Sequence, residues 1–268
     1  MPKVKVGDIN MYYEIHGGGE PLVYIYGRNG TVESARQQIQ DFSETFRLVL
    51  FDFRGAGQSD APDVPYTTEM IADELAELLD LIGINKAHIH GASMGGTIAQ
   101  QFAIRHPNRV ISLILQCTSC GGLNRVAADA EVIKFNSEIA NMTPDERATA
   151  QVSIVVTKEF IDNNPGIIDR MVEQNKKAAT PSHGLMRRTE AAMTHDTYDR
   201  LPEIQAPTLI LHGDADRMVP LQNGRILASR IPDSELVVFP NTGHIFLESR
   251  AEVNQTILDF LKKHPLIK

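Results

Sequence analysis

Pro21-Leu22-Val23-Tyr24-Ile25-Tyr26 is an uninterrupted apolar run closed by Gly27, and Phe46-Arg47-Leu48-Val49-Leu50-Phe51 nearly repeats it. Such short runs, rich in aliphatic and aromatic side chains, read as strands, and lacking a polar face they must be covered on both sides. A sheet with two buried faces needs helices above and below it. The helical pattern is present: Ile71, Leu75, Leu78, Leu79 and Ile82 recur at three- and four-residue spacing over residues 67–82, with Gly83 as the stop. Further helices are predicted at 94–105, 221–230 and 252–263, and further strands at 87–90, 110–115, 208–211 and 235–239. This alternation predicts βαβ units and a mainly parallel sheet. Residues 3–6 and 10–16, joined through Gly7-Asp8, read as an opening hairpin.

The rhythm breaks over residues 121–200. Thr143-Pro144-Asp145-Glu146 has a capping-box pattern, Asn164-Pro165 precedes another helical segment, and stretches 127–140 and 182–193 bring the count to about four short helices with no strand among them. The expected organisation is one core formed by residues 1–120 and 201–268, with 121–200 as a helical cap inserted between the sixth and seventh strands. A length of 268 residues suits one enlarged domain.

Gly91-Ala92-Ser93-Met94-Gly95-Gly96 lies between a predicted strand and a predicted helix, the context in which G-x-S-x-G forms a nucleophile elbow. A serine hydroxyl is a weak nucleophile at neutral pH and needs a histidine base, itself oriented by an acid. Among nine histidines, His244, in Gly243-His244 after the last strand, is the one placed at the sheet edge where such sites form. Asp214 and Asp216, after the strand at 208–211, compete for the acid role. In related folds the end of the sixth strand is the other source of the acid, but here Gln116-Cys117-Thr118-Ser119-Cys120 carries none, which favours Asp216.

Together these features resemble the α/β-hydrolase family. Asp52-Phe53-Arg54-Gly55-Ala56-Gly57-Gln58-Ser59 is similar to its D-x-R-G-x-G-x-S turn, Asp216 matches the acid of its G-x-x-D-x-x-V-P segment, and His244 matches its late G-H. The resemblance implies an α/β fold: an eight-stranded, mostly parallel sheet with helices on both faces and an all-helical cap. It also implies an oxyanion hole from the backbone N–H groups of Arg28 and Met94. One departure is visible, since Tyr26-Gly27-Arg28-Asn29-Gly30 stands where the family usually has H-G-x-x-G. The Arg28 side chain could engage a substrate carboxylate or simply face solvent or a surface acid. Relatives acting on halogenated substrates place indoles near the site, and this chain has no Trp and has Ser93 at the elbow.

The implied activity is a serine carboxylic ester hydrolase, an esterase or lactonase similar to 3-oxoadipate enol-lactonase, with Ser93, His244 and Asp216 as triad and no cofactor or metal. Two alternatives stand beside it: a carbon–carbon bond hydrolase of aromatic ring-fission products, and a small-molecule receptor that retains the triad. Because the base must be neutral, activity should decline below about pH 6.5. The formal charge of −8 argues against nucleic acid as a partner. Two cysteines make no disulfide framework, and Cys117-x-x-Cys120 without a second pair is a poor zinc site. No apolar run reaches signal-peptide or membrane-span form. A cytoplasmic protein acting on a small ester or lactone, away from membranes, is expected, with homo-oligomerisation left open.

Overall fold

The computed structural model describes residues 3–138, 144–177 and 181–266. Its centre is one eight-stranded sheet in the order β1-β2-β4-β3-β5-β6-β7-β8: β1 Lys3–Val6, β2 Ile9–His16, β3 Pro21–Ile25, β4 Arg47–Asp52, β5 Ala87–Ala92, β6 Val110–Gln116, β7 Thr208–Gly213 and β8 Ser234–Phe239. The β1–β2 and β2–β4 pairs are antiparallel and every other pair is parallel. Leu22, Val23, Leu48, Val49 and Leu50 are wholly inaccessible, as their polar-free runs require. Each such side chain contributes about 1.5–3 kcal/mol by leaving water.

The sheet is flanked by α1 Arg36–Phe42, α2 Thr68–Leu81, α3 Met94–Arg105, α9 Gln222–Arg230 and α10 Arg250–Lys263. Helix α2 starts where its cap chemistry dictates: the Thr67 hydroxyl accepts from Met70 N at 3.1 Å, an interaction worth about 1 kcal/mol. Its buried Glu74 holds Arg54 Nε at 2.7 Å, and Arg54 Nη2 also reaches Asp8 at 2.6 Å. The arginine of the turn after β4 therefore ties that loop to α2 and to the β1–β2 hairpin.

Among the described residues, five α-helices lie between β6 and β7: α4 Ala130–Glu138, α5 Pro144–Val155, α6 Lys158–Asn163, α7 Ile167–Lys177 and α8 Ser182–Thr194. The sequence pattern predicts about four. The extra one, α6, has six residues and none buried, so it leaves no apolar stripe. Helix α1 escapes for the same reason, with Phe42 alone buried. Asn164 ends α6 and α7 begins at Ile167, after Gly166 at φ +77°. Thr143 of the predicted capping box, and positions 139–140 of the first predicted helix in this stretch, lie outside the described residues. At the base of the excursion a bridge between Gly121 and Asp196 is supported by Thr197 N donating to Cys120 O at 2.9 Å.

Candidate active site

The carboxyl ends of β5, β6, β7 and β8 adjoin one another in the sheet. Ser93 follows β5, Asp216 lies three residues beyond β7, and His244 lies five beyond β8. Parallel neighbours deliver their following loops to one edge, so three residues remote in sequence meet there.

Ser93 has φ 55° and ψ −119°, a sparsely populated conformation that costs about 1–3 kcal/mol and persists only where its surroundings enforce it. The glycines around it show how. A Cβ on Gly91 would lie 2.3 Å from Gly95 O, and one on Gly95 would lie 1.9 Å from Ile25 O. With hydrogen in place of both methyls the chain folds sharply back, α3 abuts β3, and the Ser93 hydroxyl stands clear of the sheet. Ser93 N donates to Gln116 O, and the Thr118 hydroxyl donates to Ser93 O, both at 2.8 Å.

His244 Nε2 lies 3.0 Å from Ser93 Oγ, and His244 Nδ1 lies 2.8 Å from Asp216 Oδ2. A carboxylate only accepts, so Nδ1 carries the proton towards Asp216 and Nε2 of the neutral ring is left to accept from Ser93. The other carboxylate oxygen, Asp216 Oδ1, accepts from Met218 N and Val219 N, each at 2.9 Å. Asp214 is exposed and stands outside this chain of contacts. Burial opposes charging of the His244 ring, yet the Asp216 carboxylate, together with Cys117 at the end of β6, raises its pKa well above the ordinary 6.5. The ring therefore keeps its proton to a higher pH than an unperturbed imidazole does.

Arg28 and Met94 also come to this edge. Met94 opens α3, where an N–H has no intrahelical acceptor. Arg28 follows Gly27, on which a Cβ would sit 3.3 Å from Ser93 Cβ. Tyr26, at the position of the usual histidine, is buried and donates its hydroxyl to Asp52 Oδ1 at 2.8 Å. Asp52 further accepts from Val32 N at 2.7 Å and Gln58 N at 2.8 Å, pinning the loops after β3 and β4 to one carboxylate.

Four supporting residues have roles that motif matching does not reveal. Asp52 joins two loops. His212, wholly buried at the end of β7, donates from Nε2 to Val219 O at 2.7 Å and so holds the turn whose amides serve Asp216. Cys117, at φ 45°, donates its N–H to Leu211 O at 2.9 Å and places its sulfur beside His244. Arg188 of α8 is fully buried against the Phe53 ring, with Nη1 3.3 Å from Gly30 O. Arg188 shares a helix face with Gly184 and Ala191, both buried. Other histidines are held in packing: His90 bonds Gln116 Oε1 and His195 bonds Thr68, and burial pushes both pKa values down to about 4. Burial pushes the Cys120 thiol up to about 11.

The helices between β6 and β7 reach the site loops directly. Ile245 N donates to Val155 O at 3.3 Å, Thr157 N donates to Glu248 Oε1 at 2.7 Å, and Met218 and Leu247 pack against Val152, Val155 and Val156.

The alpha/beta hydrolase fold profile matches residues 20–251. RutD of Azorhizobium caulinodans, named for carbamate hydrolysis, is 28% identical over 264 residues, covering 97% of this chain and 98% of its own. The 2-hydroxy-6-oxononadienedioate/2-hydroxy-6-oxononatrienedioate hydrolase 2 of Pseudomonas putida is 30% identical over 277 residues, covering 97% and 95%. Among solved structures, the enol-lactonase from Burkholderia xenovorans LB400 superposes with a TM-score of 0.84 at 25% identity, over 97% of this chain and all of that one, 100%.

Proposed function

Because the chain belongs to the alpha/beta hydrolase family, we propose that its hydrolytic activity is that of a serine hydrolase cleaving carboxylic esters or lactones through an acyl-enzyme. The observation that carries this reading is the relay from Ser93 Oγ to His244 Nε2 at 3.0 Å and from His244 Nδ1 to Asp216 at 2.8 Å. Ser93 Oγ attacks the carbonyl carbon while His244 takes its proton, and Asp216 stabilises the resulting imidazolium. Negative charge forming on the carbonyl oxygen is met by the N–H groups of Met94 and Arg28. One such donor is typically worth about 10²–10³ in turnover. Collapse of the tetrahedral adduct expels the alkoxide, which takes the proton from His244. Water, deprotonated by the same ring, then releases the acid and restores Ser93.

The names of the relatives have in common a hydrolytic reaction and differ in substrate. The Pseudomonas putida relative, at 30% identity over nearly the whole chain, favours a second reading, in which the bond cleaved is carbon–carbon beside a ketone. We assign residues 121–200 the part of a cap that excludes water and shapes the substrate chamber. No helix among the described residues is long and apolar enough to cross a membrane.

The test is steady-state turnover of short aryl esters, lactones and ring-fission ketones by the wild type and by Ser93→Ala. Ester or lactone turnover that disappears in Ser93→Ala supports the reading. Equal rates in the two proteins refute the nucleophile, and turnover confined to the ketones selects the second reading.

A further inference from the structure

The loop that carries His244, between β8 and α10, is strained on both sides of the histidine. Two of its non-glycine residues lie in the left-handed region, Asn241 at φ 48° and Phe246 at φ 59°. Asparagine tolerates that conformation, whereas phenylalanine keeps it only where the surroundings enforce it. On one side the Phe246 ring packs on Phe239, 5.6 Å between centroids. On the other, the loop is tied to the corner where α5 meets α6. Ile245 N donates to Val155 O at 3.3 Å, and Glu248 Oε1 accepts from Thr157 N at 2.7 Å. Val155 ends α5 and Thr157 is the N-cap of α6. Both backbone groups therefore belong to helix ends, which leave them without an internal partner. Residues just past His244 satisfy both.

Residues before His244 meet the same corner. A Cβ on Gly243 would lie 2.6 Å from Val155 O and 2.9 Å from Val156 Cα, and Asn241 Nδ2 donates to Glu159 Oε2 at 2.6 Å. Met218, whose N–H serves Asp216, packs with Leu247 against Val152, Val155 and Val156. The base and the acid thus share one support outside the sheet. Glu248 is its charged tie. Among the described residues it has no cationic partner, its Oε2 is buried without a hydrogen bond, and Thr157 N is what its Oε1 holds. A bond of that kind is roughly twice as strong as one between neutral groups.

We propose that Glu248 is a positioning residue for His244. By holding the α5–α6 corner it fixes the strained loop, so that helices inserted between β6 and β7 set the alignment of Ser93, His244 and Asp216. The inference rests on the hydrolase reading, in which His244 is the base.

Glu248→Ala removes the acceptor, whereas Glu248→Gln keeps one in its amide oxygen. A misplacement of about 1 Å costs about 10²-fold, so Glu248→Ala should lower ester kcat about ten- to a hundredfold with KM within about twofold. Glu248→Gln should recover most of that loss. Arg187→Gln is the control: it removes the 2.9 Å contact of α8 with Asp63, elsewhere on the same insertion, and should leave both constants unchanged. If Glu248→Ala does not fold, Glu248→Asp, one methylene shorter, takes its place. A second readout needs no substrate. In protein carrying 15N-labelled histidine, the Nδ1 proton shared with Asp216 is identified by its loss in His244→Ala. It should exchange slowly with water in wild type and Glu248→Gln, and faster in Glu248→Ala. Wild-type kinetics and exchange in Glu248→Ala, an equal loss in Glu248→Gln, or an equal loss in Arg187→Gln overturns the positioning role. Faster exchange in Glu248→Ala alone, with a wild type that turns over no ester, lactone or ketone, would refute the hydrolase reading and leave the clamp on His244 standing.

Discussion

Replacing Tyr26 with phenylalanine deletes one hydroxyl from a side chain that is 3% exposed and leaves the ring on Phe53, 5.0 Å between centroids, undisturbed. What is lost is the 2.8 Å bond to Asp52 Oδ1. Asp52 is itself buried and keeps its bonds from Val32 N and Gln58 N, so part of its accepting capacity is left unfilled. Hydrogen bonds to charged groups are worth about 1.5–3 kcal/mol, and a loss of about 2 kcal/mol is expected. At about 2–4 °C per kcal/mol for a large domain, Tm should fall by about 4–8 °C. Urea unfolding followed by circular dichroism measures this, with an unchanged slope showing that the variant unfolds from the same native state. A catalytic effect should accompany it, because the loop that Tyr26 anchors carries the Arg28 N–H. A complete loss of such a donor costs about 10²–10³, so a loosened one should lower kcat by less than that, with KM little changed. Stability within about 0.5 kcal/mol of wild type, the range of inconsequential surface changes, would refute the idea that Tyr26 replaces the usual histidine by bracing the loop.

The pH profile follows from the environment of His244. The ring must be neutral to act as base, and its pKa is raised by Asp216 and Cys117 against the effect of burial. Activity should therefore be lost as pH falls through an apparent value above 6.5 in kcat/KM; a flat acid side contradicts His244 as the base. Asp216→Asn should lower kcat by about 10³–10⁴ through loss of the orienting carboxylate, while Asp214→Asn, at an exposed position, should stay within about twofold. Steady-state kinetics of the two variants decide between them, and the reverse ranking would reassign the acid.

Elements that satisfy a strict local pattern are legible in sequence. Helix α3 spans Met94–Arg105 as predicted, since the glycines around its start and His106-Pro107 after it leave little choice. The buried runs Leu22–Ile25 and Leu48–Phe51 are equally plain because no charged residue interrupts them. Features created by long-range pairing are not. Tyr26, just after β3, and Asp52, at the end of the neighbouring β4, are 26 residues apart, and neither flanking segment advertises the other. His212 reads as a strand-end residue until the Val219 carbonyl is brought to it. Arg188 is the sharpest case, because an arginine in a helix of mixed polarity reads as a solvated side chain. Its burial comes from the contact between Gly184 and Gly55, which two distant segments must supply together.

The central claim is that Ser93 is the nucleophile and His244 its base. Diethyl 4-nitrophenyl phosphate phosphorylates serines activated in this way, and peptide mass spectrometry of the inactivated protein locates the adduct. The account predicts a single diethylphosphoryl group on the peptide containing Ser93, absent from Ser93→Ala and formed far more slowly in His244→Ala. Labelling at another residue, or an unlabelled Ser93 in protein that has lost its activity, would contradict it.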